Sequence, residues 1–481
     1  MSVYVLSSDK LLHCQIGENL LQLLQKAGLA PDAPCGGKGT CGKCRVIVDG
    51  HEQLACKVTV DRDMKVELQR EAKTNVLSTG ISVDVIPDGK DRYALAFDIG
   101  TTTVVGYLLD GHNGNLLSQV NCVNPQTRFG ADVISRIQYD MEKPKVLSSV
   151  ILKALAELTR QAAKKAGIDE EEITTVSVVG NTAMHHLLLG INPQPLTILP
   201  YMPSVSDALE LSAKEYLPVA ETAVLRVLPN IAGFVGADTV SCMAALRFDR
   251  LEELTLMIDI GTNGEMVLGD KNGFLVCSTA AGPAFEGARI QCGMRGAEGA
   301  IDHVWLENGE ICWSVIGSGK AAGLCGSGLL DLVAVLLSNE NIDETGRMEE
   351  TYTFLDTDVF LTPKDVREVQ LAKSAIRTGI ELMCKKRGVS PEGIRHVYLA
   401  GAFGNYLDPV SACRIGMIPA CLADRISGIG NAAGQGAILS ALREDEFAYS
   451  QSLAKQAEFL ELAAIPEFND CYMDYLLFEE E

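Results

Sequence analysis

A short motif occurs twice in this chain and constrains what it can fold into. The run ALAFDIGTTTVV surrounds Asp98, and the run LTLMIDIGTNGEMV surrounds Asp259. In both copies an apolar segment of strand length leads into an Asp-Ile-Gly-Thr turn, and a second strand follows. After each copy come a third strand, helical segments and another strand, VSVVG in the first and HVYLAG in the second. This internal repeat predicts two similar halves that mix strands and helices.

Both motifs have the chemistry of a phosphate-binding hairpin. Glycine lets the backbone approach a phosphate, threonine hydroxyls and amides donate hydrogen bonds, and aspartate holds Mg²⁺, usually through water. One such turn is a weak signal because Asp-x-Gly turns are common in hairpins, but two copies strengthen it. We therefore predict catalytic roles for Asp98 and Asp259. The predicted nucleotide-binding residues of the hairpins are Thr101, Thr102, Thr103, Gly261, Thr262, Asn263, Gly264 and Glu265.

A third glycine-containing segment adds to the two hairpins. It is a strand that ends in small residues and enters a helix, and such a turn can lie flat against an adenine and its ribose. The residues are Gly401, Ala402, Phe403 and Gly404. The alternative for all three segments is a duplicated domain that binds no nucleotide.

From Tyr93 to about residue 445 the chain resembles the acetate/sugar kinase–Hsp70–actin superfamily. Asp98 to Thr103 are similar to its first phosphate motif, Asp259 to Glu265 to the second, and Gly401 to Gly404 to its adenosine motif. The resemblance implies two RNase H-like halves with ATP and Mg²⁺ in the cleft between them.

Four cysteines near the N-terminus form a different kind of site. Cys35, Cys41, Cys44 and Cys56 lie in and just after the loop CGGKGTCGKC. Clustered cysteines without a secretory context indicate metal rather than disulfides. A [2Fe–2S] cluster needs four converging thiolates, and the loop glycines permit the positive φ angles that wrapping around it requires. A structural zinc site is the main alternative, although zinc sites usually pair two CxxC segments and only one is present here.

The loop resembles that of plant- and adrenodoxin-type ferredoxins, whose fold is a β-grasp. The resemblances together imply an α+β and α/β multidomain chain. We expect a [2Fe–2S] ferredoxin-like domain over 1–70, a linker over 71–92, and RNase H-like ATPase halves over 93–250 and 251–481.

Charge and hydropathy exclude some functions. The formal net charge is −22, and such a surface repels phosphate backbones, so nucleic acid is not an expected partner. No apolar run is long enough to span a membrane, and the start MSVYVLSSDK lacks the pattern of a signal peptide. We therefore expect a cytoplasmic protein without a membrane partner.

The combination of a ferredoxin-like domain and such an ATPase is similar to the reductive activators of corrinoid-dependent methyltransferases. Segments that carry this resemblance include GNTAMHH from Gly180, AGPAFEG from Ala281 and GLCGSG from Gly323. It implies an enzyme that uses ATP and a [2Fe–2S] cluster to reduce Co(II) to Co(I) on a corrinoid protein. A low-potential electron donor upstream is implied as well, and a homodimer through the large domain is compatible with the resemblance.

Two other functions stay open at this point. An activator of a radical 2-hydroxyacyl-CoA dehydratase shares the ATPase fold, but it uses a [4Fe–4S] cluster that bridges two subunits. A redox-sensing regulatory ATPase, or a sugar kinase with a ferredoxin domain attached, belongs to another class. A kinase would need a general-base aspartate that faces a sugar pocket, and the sequence does not single one out.

Overall fold

The computed structural model describes residues 1–8, 10–27, 29–31, 33, 37, 39, 44–68, 85–130 and 132–478, with only the backbone at Ala402. Cys35 and Cys41 therefore lie outside the described residues, as does most of the predicted linker. Among the helices of the described part, none is long and apolar enough to cross a membrane.

The N-terminal module is a five-stranded sheet with one helix against it. The strand order is β2-β1-β5-β3-β4, in which β1 and β5 run parallel and the other neighbours antiparallel. Four leucines on one side of α1 are buried against the alternating valines of the sheet. The elements are β1 (Ser2–Val5), β2 (Lys10–His13), α1 (Leu20–Lys26), β3 (Arg45–Val48), β4 (His51–Leu54) and β5 (Met64–Leu68).

The second sheet contains the first copy of the repeat. Its order is β10-β11-β9-β6-β7-β8, with β6, β7 and β8 antiparallel and β9 and β11 parallel to β6. The elements are β6 (Tyr93–Ile99), β7 (Thr103–Asp110), β8 (Leu116–Val123), α2 (Val133–Glu142), α3 (Val146–Ala166), β9 (Ile173–Gly180), α4 (Thr182–Leu189), β10 (Leu209–Ser212), β11 (Val224–Val227) and α5 (Ala237–Leu246).

The third sheet repeats this arrangement with the second copy. Its order is β21-β20-β12-β13-β14-β22, with an antiparallel β12-β13-β14 meander and with β20 and β21 parallel to β12. The elements are β12 (Thr255–Ile260), β13 (Gly264–Asp270), β14 (Gly273–Thr279), β15 (Ala300–Glu307), β16 (Glu310–Val315), β17 (Gly323–Leu324), α6 (Gly326–Ser338), β18 (Tyr352–Thr353), β19 (Phe360–Leu361), α7 (Pro363–Arg387), β20 (His396–Ala400), α8 (Gly401–Tyr406), α9 (Pro409–Arg414), β21 (Ile426–Gly430), α10 (Ala432–Leu442), α11 (Glu444–Gln456), β22 (Glu458–Phe459) and α12 (Phe468–Asp474).

Helices α5 and α10 lie between the two large sheets. One hydrophobic core joins residues of both sheets to these two helices, while the outer faces are covered by α2–α4 on one side and by α6 and α7 on the other. The helices approach closely because α10 has a glycine at the crossing: a Cβ on Gly436 would lie 2.1 Å from the carbonyl oxygen of Ser241. The hydroxyl of Ser241 in turn donates to the carbonyl oxygen of Ala433 at 2.6 Å. The predicted fold class is thus confirmed.

The N-terminal module touches the first half behind its phosphate hairpin. The side chain of Gln25 on α1 donates a hydrogen bond to the carbonyl oxygen of Arg128. A few residues earlier, the side-chain amide of Asn124 donates to the carbonyl oxygen of Gly100 at 2.8 Å. The backbone N–H of Asn124 donates to the carbonyl oxygen of Thr102, also at 2.8 Å. One short segment therefore contacts both the first hairpin and the cysteine-containing module.

Candidate functional site: a cysteine loop and a cleft between two hairpins

Two of the four predicted cluster ligands lie within the described residues, and they come close to the glycine loop. Cys44 is buried at the start of β3, and its carbonyl oxygen accepts from the backbone N–H of Ala55, next to Cys56. Gly37 and Gly39 have φ angles of +85° and +76°, as predicted for this loop. A Cβ on Gly39 would lie 3.9 Å from the sulfur of Cys56. Of the described residues of the loop, Gly39 thus lies near the Cys56 thiol.

Asn19 fixes the position of Cys56, and sequence reasoning missed it. Its side-chain oxygen caps α1 by accepting from the backbone N–H of Gln22. Its side-chain nitrogen donates to the carbonyl oxygens of Cys56 at 2.9 Å and of Val58 at 3.4 Å. The sequence signal was the usual preference for Asn before a helix, but the second contact spans 37 residues and no local pattern reveals it.

The predicted nucleotide residues line one cleft, with a cavity volume of about 330 Å³, which is within the range of small-molecule sites. The structure brings together Asp98, Thr101, Thr102, Thr103, Asp259, Gly261, Thr262, Asn263, Glu265, Gly401 and Phe403. Two predicted residues pack away from it: Gly264 faces the hydroxyl of Thr279, and Gly404 packs against Leu399. The side chain of Ala402 lies outside the described part of the chain.

The first hairpin is held by side chains from three other elements. Asn181, at the start of α4, donates from its side chain to the hydroxyl of Thr101 at 3.0 Å. The buried guanidinium of Arg136 donates to the carbonyl oxygen of Thr101 at 2.6 Å. Asn431, which caps α10, donates to the Asp98 carboxylate at 2.9 Å. The hairpin is therefore oriented before any ligand binds, which lowers the entropy cost of binding.

Buried carboxylates crowd the floor of the cleft. Burial raises the pKa of Asp98 to about 7, and the charge of Asp259 adds to the effect. Burial likewise raises the pKa of Asp259 to about 7, with smaller contributions from Asp238 and Glu286. The pKa of Asp238 is raised to about 7 as well, and that of Glu265 lies well above its usual range. Because like charges in a desolvated site repel, a bound divalent cation would relieve this repulsion.

Aromatic rings close the cleft beside the predicted adenosine turn. Phe403 stacks on the buried Phe285 with ring centroids 5.0 Å apart and an interplanar angle of 11°. The exposed Tyr406 lies on the same wall. Gly401 has a φ of +81°, and a Cβ there would lie 2.8 Å from a carboxylate oxygen of Asp259. Glycine thus lets this turn approach the second phosphate motif.

The described residues fit Mg-ATP at this cleft. Two hairpins present hydroxyl and amide donors to one space, carboxylates lie beneath them, and a glycine turn with an aromatic wall borders it. At the N-terminal module, the positive-φ glycines around the Cys56 thiol fit a [2Fe–2S] cluster.

Comparison with known families matches the regions of the chain in which the two candidate sites lie. Models of the RACo middle region and of the C-terminal ASKHA domain of RACo match residues 93–251 and 253–481, and a model of the 2Fe–2S iron–sulfur cluster binding domain matches residues 3–76. The corrinoid activation enzyme RamQ of Eubacterium limosum is 34% identical, over 94% of each chain. The chain belongs to the RACo family.

Two other similar proteins support this placement. A [Co(II) methylated amine-specific corrinoid protein] reductase of Methanosarcina barkeri is 26% identical, over 79% of this chain and 76% of its own. A solved structure described as a reductive activator for corrinoid, iron–sulfur protein superposes with a TM-score of 0.73 at 27% identity, covering 99% of this chain and 98% of that one.

We predict that Asn19→Ala loosens the cluster loop, because it removes both the α1 cap and the anchor of Cys56. The expected cost is about 1 to 2 kcal/mol in the unfolding of the N-terminal module. The measurement is the decay of the cluster's visible absorbance in a chelator, which should be faster than in the parent protein. Gln22→Ala, an exposed change on the same helix, serves as the control, and equal decay in both variants would contradict the anchoring role.

The cleft carboxylates also predict how stability depends on pH. Their folded pKa values near 7 exceed the ordinary value of 3.8, so the folded state binds protons more tightly than the unfolded chain. Without metal or nucleotide, their contribution to stability is therefore present below about pH 4 and is lost as the pH rises to about 7.

Asp238→Asn removes one of these charges and keeps the oxygen that accepts from the backbone N–H of Thr239. In metal-free protein at pH 8, we expect this substitution to remove about 1 kcal/mol of charge repulsion and therefore to raise Tm by about 2 to 4 °C. At pH 5 the gain in Tm should be smaller, because more of the carboxylates are already protonated. Thermal unfolding at both pH values checks this against Asp207→Asn, an exposed control. A gain that does not depend on pH would rule out charge relief as the cause.

Proposed function

We propose that this protein is an ATP-dependent reductive activator of a corrinoid protein. It passes one electron from a [2Fe–2S] cluster to Co(II) on that partner, which becomes Co(I) and competent for methyl transfer. The proposal rests on one observation: a single chain of the RACo family contains both a cysteine loop and a cleft between two phosphate hairpins.

We assign the chain's parts as expected from the repeat. The [2Fe–2S] ferredoxin-like domain spans 1–70, the linker 71–92, and the two ATPase halves 93–250 and 251–481. The bounds of the family models and the separate sheets support this division. Helix α10, although it belongs to the second half by sequence, packs against the first half, since Ser177 on β9 donates to the carbonyl oxygen of Ala437 at 2.6 Å.

The cluster ligands in this proposal are Cys35, Cys41, Cys44 and Cys56. When bound, such a cluster stores one electron and releases it at low potential, near −400 mV for plant-type ferredoxins. The burial of Cys44 and the position of Gly39 near the Cys56 thiol support ligation of a group by these thiolates. The protein's part is to hold the thiolates in place and to orient loop amides toward the sulfurs.

In the ATPase cleft, Thr101, Thr102, Thr262 and Asn263 contact the phosphates. Asp98 and Asp259 orient Mg²⁺ and the attacking water. The turn formed by Gly401, Ala402 and Phe403 lines the adenosine pocket. Support comes from the position of these residues around one cavity and from the desolvated carboxylates, which favour a cation between them and the phosphates.

Nucleotide binding acts through conformation, because reduction of Co(II) is harder than the cluster potential alone allows. ATP favours a closed form of the cleft, and this form grips the corrinoid protein in a state that accepts the electron. The difference between the affinities of the closed and open forms supplies the coupling; equal affinity for both would shift nothing. An upstream low-potential electron donor reduces the cluster again after each transfer.

The proposal also includes a homodimer that forms through the ATPase halves.

The family match favours this function over the two that the sequence left open. A dehydratase activator shares the ATPase fold, but the RACo models extend over residues 93–481. The same comparison favours the activator over a redox-sensing ATPase or a sugar kinase, because the relative that is 34% identical over 94% of each chain is named a corrinoid activation enzyme.

We predict that Mg-ATP is required for Co(I) formation. Anaerobic protein, a chemical reductant and a Co(II) corrinoid protein are mixed, and the visible spectrum is followed with and without Mg-ATP. The Co(I) band should appear only with Mg-ATP, should be absent in Cys44→Ala, and should form at least about tenfold more slowly in Asp259→Ala, a loss of about 1.4 kcal/mol. Cys14→Ala, a cysteine of the same module outside the glycine loop, should retain full activity.

Two results would contradict this function. If Co(I) forms at the same rate without nucleotide, or fails to form although the cluster is intact and ATP is bound, this function is wrong.

A further inference from the structure

One carboxylate in the cleft joins the two phosphate hairpins. Oε2 of Glu286 accepts a hydrogen bond from the hydroxyl of Thr102 at 2.6 Å, and Oε1 accepts one from the hydroxyl of Thr262 at 2.5 Å. Thr102 belongs to the first copy of the repeat and Thr262 to the second. Glu286 is therefore a single acceptor shared by both halves of the cleft.

The backbone around Glu286 is fixed by its own contacts. It ends a 3₁₀ turn, Ala284–Glu286, and the preceding Gly282 donates its N–H to the carbonyl oxygen of Thr262 at 2.9 Å. Gly287 follows with a φ of +76°, where a Cβ would lie 2.5 Å from the carbonyl oxygen of Met294. The backbone on either side of Glu286 is thus held in place, while its side chain reaches the hairpins only through the two hydroxyl contacts.

The same turn contacts the predicted adenosine wall. Phe285, the neighbour of Glu286, is buried and stacks on Phe403 with 5.0 Å between ring centroids. A shift of the turn would therefore change the contacts at both hairpins and at the aromatic wall. The charge of Glu286 also contributes to the raised pKa of Asp259, after burial and the charge of Asp238, which places it among the carboxylates of the cleft floor.

We propose that Glu286 is a positioning residue that competes with the nucleotide's phosphates for the two hairpin hydroxyls and so sets how tightly the cleft holds ATP. This inference rests on the nucleotide binding proposed above. Phosphate oxygens are acceptors and need the donors that Glu286 occupies, and a carboxylate beside a phosphate adds repulsion. Phosphates bind by displacing Glu286 from Thr102 and Thr262, and release of this shared acceptor lets the halves adjust around the nucleotide.

The test is nucleotide binding to Glu286→Gln, measured by calorimetry on the full chain with Mg²⁺. A non-hydrolysable ATP analogue should bind about tenfold more tightly than to the parent protein, because a neutral amide is a weaker competitor for hydroxyl donors. The gain should be smaller for ADP and absent for adenosine, which has no phosphates. Glu307→Gln, a change at an exposed carboxylate on β15, should leave all three affinities unchanged.

A second variant shows whether the hydroxyls are the cause. In a Thr262→Val background one shared donor is gone, so Glu286→Gln should give a smaller gain for the ATP analogue than it gives alone. Unchanged adenosine affinity and an unchanged cluster spectrum show that the variants fold. These readouts do not depend on corrinoid reduction.

Three outcomes would overturn the inference. Weaker binding of the ATP analogue to Glu286→Gln would mean that this carboxylate helps to hold the metal or the phosphates. Unchanged binding, with normal nucleotide affinity in the parent protein, would refute the competition while leaving the proposed function intact. Absence of nucleotide binding to both proteins would refute this inference and the ATP-dependent function together.

Discussion

The close contact of α10 with α5 between the two large sheets is the interaction on which the cleft depends. Gly436 permits this approach, because any side chain there would meet the backbone of Ser241. Since α10 comes from the second half and packs on the first sheet, it sets the distance between the two copies of the repeat. Its capping residue Asn431 also hydrogen-bonds Asp98, so the same helix orients the first phosphate motif.

The cleft thus brings like charges together in a desolvated space, an arrangement that is unfavourable for the protein alone. Three aspartates have pKa values raised to about 7, and Glu286 lies beside them as the acceptor for two hydroxyls. A ligand that supplies a cation and new acceptors relieves this situation, which favours a change of conformation on binding. In the proposed function, such a change would couple the binding of ATP to the electron transfer.

Local patterns predicted much of this fold, and long-range contacts account for what they missed. The apolar runs around Asp98 and Asp259 gave strands β6 and β12, and the leucines after Asn19 gave helix α1. The separate sheet formed by β15, β16 and β17 was not predicted, because β15 (AIDHVWLE) and β16 (EICWSV) lack a regular alternation of apolar and polar residues and β17 has only two residues.

The residues of the candidate site also divide into those that a local motif predicted and those that long-range contacts bring into place. Hairpin residues were recognisable because the turn chemistry needs Gly and Thr at adjacent positions. Asn431 contacts Asp98 across 333 positions, and Glu286 contacts Thr102 across 184, so neither contact could be read from the local sequence, although Glu286 itself was a weaker candidate for the cleft floor. Gly264 and Gly404 belong to recognisable motifs but pack behind the cleft, since successive residues of a strand face opposite sides and residues of a helix are spread around its axis.

The most direct test of the account is whether nucleotide and corrinoid protein bind cooperatively. The affinity of the protein for a non-hydrolysable ATP analogue is measured with and without saturating Co(II) corrinoid protein, and the affinity for the corrinoid protein is measured with and without the analogue. The account predicts that each ligand tightens the other by the same factor, at least about fivefold, as linkage requires. Independent binding of the two ligands would contradict it, because ATP would then have no means of selecting the form that reduces cobalt.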